Sequence, residues 1–142
     1  MSSDHQVTHR VLVVQHDDAL RETLREVLED TGYEVLLAQN REEALSILRG
    51  KDKGRMVVIL DQFMPRLDGV ELLREVVQDR KLARSYRFIL LSATRLYMRI
   101  ALVRLLTRLA VQVVSKPFDV DDFLAAVSRA FAQLGISTGD PL

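Results

Sequence analysis

Apolar residues fall along this chain in two alternating rhythms. RVLVVQ (10–15), YEVLLA (33–38), MVVIL (56–60), RFILLS (87–92) and VQVVS (111–115) are short, nearly continuous apolar runs, the pattern of strands buried on both faces. Between them, apolar positions recur three and four residues apart, as on one face of a helix. Asp18 is read as the cap of a first helix carrying Leu20, Leu24, Val27 and Leu28 and ending before Gly32. Asn40 with Glu43 makes a capping box ahead of Ala44, Leu45, Ile47 and Leu48, and Asp68 with Glu71 makes another ahead of Val70, Leu73, Val76 and Val77. Residues 95–109 predict a fourth helix. Asp119 with Asp122 opens a fifth, with Val120, Phe123, Leu124, Val127 and Phe131 on one stripe.

Five buried strands alternating with five amphipathic helices predict an α/β fold, a parallel sheet covered on both faces. Right-handed crossovers leave few topologies, and the flavodoxin-like doubly wound order 2-1-3-4-5 is the usual five-stranded one. Loops at the carboxyl ends of such strands build the functional site. Here those loops hold Gln15, His16, Asp17 and Asp18; Asp61; Ser92; and Lys116 with Pro117.

Composition narrows the picture. At 142 residues, 48% hydrophobic and 28% charged, the chain has the size and makeup of one folded domain. No apolar run approaches membrane-spanning length, and MSSDHQVTHR lacks the apolar core of a secretion signal, so a cytoplasmic location without membrane contact is expected. The absence of cysteine excludes disulfides and thiol chemistry. Residues 1–9 are expected to be a flexible tail in which His5 and His9 carry no role, 10–132 the domain, and 133–142 a tail or linker stump. Zero net charge conceals an asymmetry: residues 1–79 hold 16 acids and 10 bases, 80–118 hold nine bases and no acid, and 119–142 hold four acids and one base. A basic middle of this kind is a solvated face, a docking surface or a nucleic-acid patch.

Asp61 follows the apolar run VVIL, which sets a carboxylate at the rim of the sheet. By itself it can also be read as a cap for the loop that follows it. Lys116, the last lysine of the chain, ends another strand, and Ser92 ends a third. A carboxylate nucleophile, a cation and a hydroxyl donor suit formation of an acyl phosphate.

The strings VLVVQHDDALRETLREVLEDTGYEV, VVILDQFMPRLDGVELL, LLSA and VVSKPF resemble the receiver domain of bacterial two-component response regulators over residues 10–132. The resemblance implies a signalling switch and not an enzyme. It implies that Asp61 accepts phosphate from a histidine kinase or phosphotransfer protein, that Ser92 and Lys116 stabilise the phosphoryl group, and that Lys116–Pro117 is a candidate cis bond. Relatives carry two adjacent acids after the first strand, which help to hold Mg²⁺; here these positions are Gln15 and His16. That leaves Asp61, Asp17 and the backbone carbonyl of Phe63 as metal ligands, so Mg²⁺ and the phosphorylation that depends on it are expected to be weak. Val113 stands where relatives often place a switching aromatic. Phe63 stands where access of hydrolytic water is tuned in relatives, and reads equally as a loop aromatic.

Three readings follow: an atypical receiver, an ordinary phosphorylated receiver using Asp17 and Asp61 for Mg²⁺, or a flavodoxin-like cofactor binder or Asp-nucleophile phosphatase. The last is disfavoured, because QHDDAL offers negative charge where a phosphate loop needs glycine and hydroxyls. On the fourth predicted helix, Met98, Ala101, Leu102, Leu105 and Leu109 share one face, and Leu96, Ile100, Val103 and Thr107 the opposite one, with arginines between. Two apolar faces predict a partner for one of them. The expected interface is a homodimer through the fourth helix, fifth strand and fifth helix, using Leu96, Arg99, Ile100, Val103, Arg104, Asp119 and Asp122, and no direct nucleic-acid contact.

Overall fold

The computed structural model describes residues 9–50, 54–61, 63–64, 67–92 and 100–135, with the backbone alone at 63–64, 67–68 and 100–102. Five strands form one parallel sheet: β1 (Arg10–Val14), β2 (Glu34–Ala38), β3 (Met56–Asp61), β4 (Tyr86–Ser92) and β5 (Gln112–Ser115). Their order is β2-β1-β3-β4-β5, the doubly wound order expected from the sequence. Val11 lies between Val35 and Val57, and Ile59 lies opposite Ile89. Phe63–Met64 and Leu67–Asp68 pair as a small antiparallel ladder beyond β3.

The helices are α1 (Asp18–Thr31), α2 (Arg41–Leu48), α3 (Gly69–Val77), α4 (Arg80–Ser85), α5 (Ile100–Arg108) and α6 (Val120–Gln133). Alternation along the strands divides the core in two. Val11, Val13, Val57, Ile59, Ile89 and Leu91 pack under Leu24 and Leu28 of α1 and Phe123, Val127 and Phe131 of α6. Leu12, Val14, Val58, Leu60, Phe88 and Leu90 pack under α2, α3, α4 and α5. Because both sides are covered, β3 is buried along its whole length.

Among the described residues there are six helices where five were expected. The addition is α4, only six residues long, whose N-cap Asp79 accepts from the amides of Lys81 and Leu82. The predicted fourth and fifth helices are therefore α5 and α6. Asp17, not Asp18, caps α1, its Oδ1 accepting from Leu20 N at 3.0 Å; Asp18 begins the helix and pairs with Arg21. Asn40 caps α2 as expected, and Glu43 Oε1 accepts from Gln39 N. The second box falls on Asp68, whose side chain lies outside the described residues. Asp119 is the N-cap of α6 but makes no side-chain capping bond. On the α6 stripe Phe123, Val127 and Phe131 are buried, whereas Val120 is exposed and Leu124 only partly covered. Leu105 and Leu106 of α5 join the core, as does Leu109 just after it, while Val103 and Thr107 are exposed; residues 95–99 lie outside the described residues.

Two described residues just outside the expected domain bounds, His9 and Leu134, make contacts with it. The His9 ring packs edge-on against Tyr33 and Phe131, which stack with centroids 5.4 Å apart, and His9 O accepts from Glu34 N. Leu134 is in the core, and its carbonyl accepts from Arg55 Nη1.

Candidate functional site

Asp61 is the last residue of β3, beside Leu91 in register. The apolar residues before it are buried, so its carboxylate is carried to the rim of the sheet yet stays 4% exposed. Lys116 follows β5. Its backbone N donates to Ser92 O at 2.6 Å, fastening the end of β5 to β4, and its Nζ lies 2.6 Å from Asp61 Oδ1. The Lys116–Pro117 peptide bond is cis. Ser92, 1% exposed, ends β4 at the same rim.

The second carboxylate oxygen has a different partner. Gln15 continues β1 by one residue, its N donating to Ala38 O at 3.0 Å, and its side chain is buried. Its Nε2 donates to Asp61 Oδ2, while its Oε1 accepts from Asp17 N at 3.1 Å. The reverse amide orientation would set an oxygen against a carboxylate and an N–H against an N–H, so the network fixes the assignment. Arg21 Nη1 donates to Gln15 O at 2.7 Å, tying α1 to the same residue. A buried carboxylate without partners costs several kcal/mol; here a cation serves one oxygen and a neutral amide the other.

Gly69, first residue of α3, lies against this site. A Cβ there would collide with the Asp61 carbonyl oxygen and stand 2.7 Å from Leu60 Cδ1. The start of α3 is thus pressed onto the Asp61 backbone, a distance only glycine allows.

The remaining sequence-derived positions are dispersed. His16 is exposed and makes no described contact with Asp61, so of the two altered positions Gln15 alone reaches the carboxylate. Asp17 is exposed and engaged as the α1 cap. Phe63 pairs with Asp68 through the backbone, its side chain outside the described residues. Val113, Val103, Arg104, Asp119 and Asp122 are exposed; Ile100 has only its backbone described, and Leu96 and Arg99 lie outside the described residues. Among the described residues no three His, Cys, Asp or Glu side chains gather as a metal site.

Residues 11–128 match the response regulator receiver domain family. The chain belongs to that family. This receiver shares 46% identity over 67 residues with the response regulator MprA of Mycolicibacterium vanbaalenii, a match covering 47% of this chain and 28% of that protein. It thus spans under a third of the curated relative's length. The structure of a CheY-like receiver domain protein from Methanospirillum hungatei superposes with a TM-score of 0.73 at 22% identity, covering 91% of this chain and 98% of the other. A receiver domain protein from Clostridium thermocellum does so with a TM-score of 0.72 at 25% identity, covering 88% and 95%. No helix among the described residues is long and apolar enough to cross a membrane.

Pattern reading of this receiver missed the amide bridge from Gln15, the Arg21 contact and the close approach of Gly69. A glutamine directly after the apolar run VLVV was the available signal for the first, since a buried amide must find partners.

Proposed function

We propose that this receiver is a signalling module that accepts a phosphoryl group at Asp61 from a histidine kinase or phosphotransfer protein, with Mg²⁺-dependent phosphorylation weakened by its altered pocket. An Asp61 oxygen bonds to phosphorus as the donor's phosphorus–nitrogen bond breaks, and the donor imidazole takes up a proton. Lys116 Nζ and the Ser92 hydroxyl hold phosphoryl oxygens. The module is a switch without a substrate of its own, working in the cytoplasm without direct nucleic-acid or membrane contact.

The observation that carries the reading is the Gln15 amide on Asp61 Oδ2. Mg²⁺ demands oxygen ligands in near-octahedral array. Gln15 turns its nitrogen towards Asp61, and Asp17 Oδ1 is engaged by Leu20 N. One buried carboxylate and the Phe63 carbonyl are a thin set, and these residues do not fit Mg²⁺. The capping bond of Asp17 also weighs against the ordinary-receiver alternative.

The test is phosphorylation by acetyl phosphate, followed by intact-mass measurement with and without Mg²⁺, using Asp61→Asn as the negative control. The native chain should label slowly and with little response to Mg²⁺, and the Gln15→Asp, His16→Asp double variant should label at least tenfold faster with the metal. Equal Mg²⁺-dependent labelling of both proteins would overturn the reading.

The same reading extends to self-association through α5, β5 and α6. Val103 and Val113 are 38% and 39% exposed, near exposed Arg104 and the acids Asp119 and Asp122. A cleft of about 640 Å³ between β5 and α6 is lined by Val113, Phe118, Asp119 and Asp122. Apolar groups beside charges of both signs suit a two-fold interface.

A further inference from the structure

The ends of β3 and β4 opposite Asp61 carry a second concentration of chemistry. A cleft of about 490 Å³ opens where α2 ends and α4 begins, against the first residues of β3 and β4. Among the described residues, Arg49, Arg55 and Lys81 line it with Asp79 as the one carboxylate of its wall, and Leu48, Leu82 and Tyr86 form its apolar side. The six-residue length of β3 separates this cleft from Asp61 by about 20 Å at ~3.3 Å per residue.

The charges differ in how far they are already used. Asp79 Oδ1 is engaged by the amides of Lys81 and Leu82 at 3.1 and 3.3 Å. Arg55 Nη1 is held by the Leu134 carbonyl, which positions that guanidinium and leaves its charge in place. Arg49 Nη2 lies 3.8 Å from Glu75 Oε1, a loose pair with both side chains well exposed. Lys81 is exposed and has no side-chain partner among the described residues. Arg80 and Arg84, also exposed on α4, add to the field around the cleft, and they belong to the stretch 80–118 that contains no acid.

We propose that this cleft binds a small organic phosphate of the nucleotide class. Among the described residues, three cations against one engaged carboxylate select an anion, and guanidinium and ammonium groups together suit phosphate oxygens. The volume falls in the ~300–1,000 Å³ range of small-molecule sites; Leu48, Leu82 and Tyr86 are buried and close its floor, while the exposed, planar guanidinium of Arg49 offers a base or similar ring a face to stack on. The site lies at the amino ends of the strands and shares no residue with the Asp61 cluster.

The experiment is an amide ¹H–¹⁵N titration of the full chain with ADP, pyrophosphate and adenosine, without divalent cations. ADP should shift Gly50, Gly54, Lys81 and Ser85, and adenosine should bind at least tenfold more weakly, about 1.4 kcal/mol. Lys81→Glu and Arg49→Gln, both at exposed positions, should each weaken ADP at least tenfold with thermal melting unchanged, whereas Arg25→Gln on α1 should have no effect. Pyrophosphate binding weaker than ADP identifies the ring contact. The proposal fails if about 5 mM ADP shifts none of these amides, if adenosine matches ADP, or if Lys81→Glu leaves affinity intact. It also fails if a single-stranded oligonucleotide binds the same residues more than tenfold tighter than ADP, which assigns the patch to nucleic acid.

Discussion

Replacing Gln15 and His16 together with aspartate exchanges a neutral hydrogen-bond donor for negative charge beside Asp61. Without metal, the change removes the Nε2 bond to Asp61 Oδ2, a hydrogen bond to a charged group worth about 1.5–3 kcal/mol. It also sets a second carboxylate against one that is 4% exposed, a repulsion of about 4 kcal/mol for charges ~4 Å apart at an effective dielectric constant of ~20. The metal-free variant should therefore melt well below the native chain. Mg²⁺ reverses the balance. At about 100 times the dissociation constant, a ligand specific for the folded state adds ~2.7 kcal/mol, which for a chain of this length raises Tm by about 8–10 °C. The native chain, if its dissociation constant is about 10 mM or weaker, gains no more than ~0.4 kcal/mol in 10 mM MgCl₂, a shift of about 1–2 °C. Differential scanning fluorimetry across a Mg²⁺ series, with CaCl₂ and NaCl controls, reads both curves. The reasoning is refuted if native and variant chains rise equally, or if the variant fails to rise at all.

Other outcomes follow from the packing and the charges. Gly69→Ala forces a Cβ into the Asp61 carbonyl and close to Leu60; urea unfolding should show a loss of about 1–3 kcal/mol, and an unchanged midpoint would contradict the close approach. Burial raises the Tyr33 hydroxyl pKa above 10.0, so the neutral form stabilises the fold below pH ~10 and that contribution is lost as pH rises through the higher folded value. Tyr33→Phe should accordingly flatten the alkaline limb of a stability–pH profile while leaving it unchanged near pH 8; identical limbs would remove the assignment. Val103→Glu should convert any dimer to monomer in sedimentation at high concentration, and a native chain that is monomeric throughout would dispose of the α5–β5–α6 interface.

The sheet was legible because β1, β3 and β4 are buried on both faces, which leaves uninterrupted apolar runs in the chain. Helix α4 was not, since RKLARS is too short to show a period and only Asp79 marks its start. Adjacent Asp17 and Asp18 are equivalent as letters, and backbone geometry alone decides which one caps α1. Polar composition concealed His9 and Leu134, whose anchors, Phe131 and Arg55, are distant in sequence. Asp61, Ser92 and Lys116 were recognisable as strand ends, whereas the partner of Gln15 depends on how an amide turns inside a packed rim, which no local pattern encodes.

A diffusible cation sits beside a carboxylate in proportion to its concentration, and so reports the salt around it. Gln15 Nε2 is delivered to Asp61 by the backbone of β1, at an effective concentration set by chain geometry. It can be neither chelated nor diluted. Where a metal would make the rim of the sheet answer to the composition of its medium, a tethered amide makes the resting arrangement an inherited property of the polypeptide.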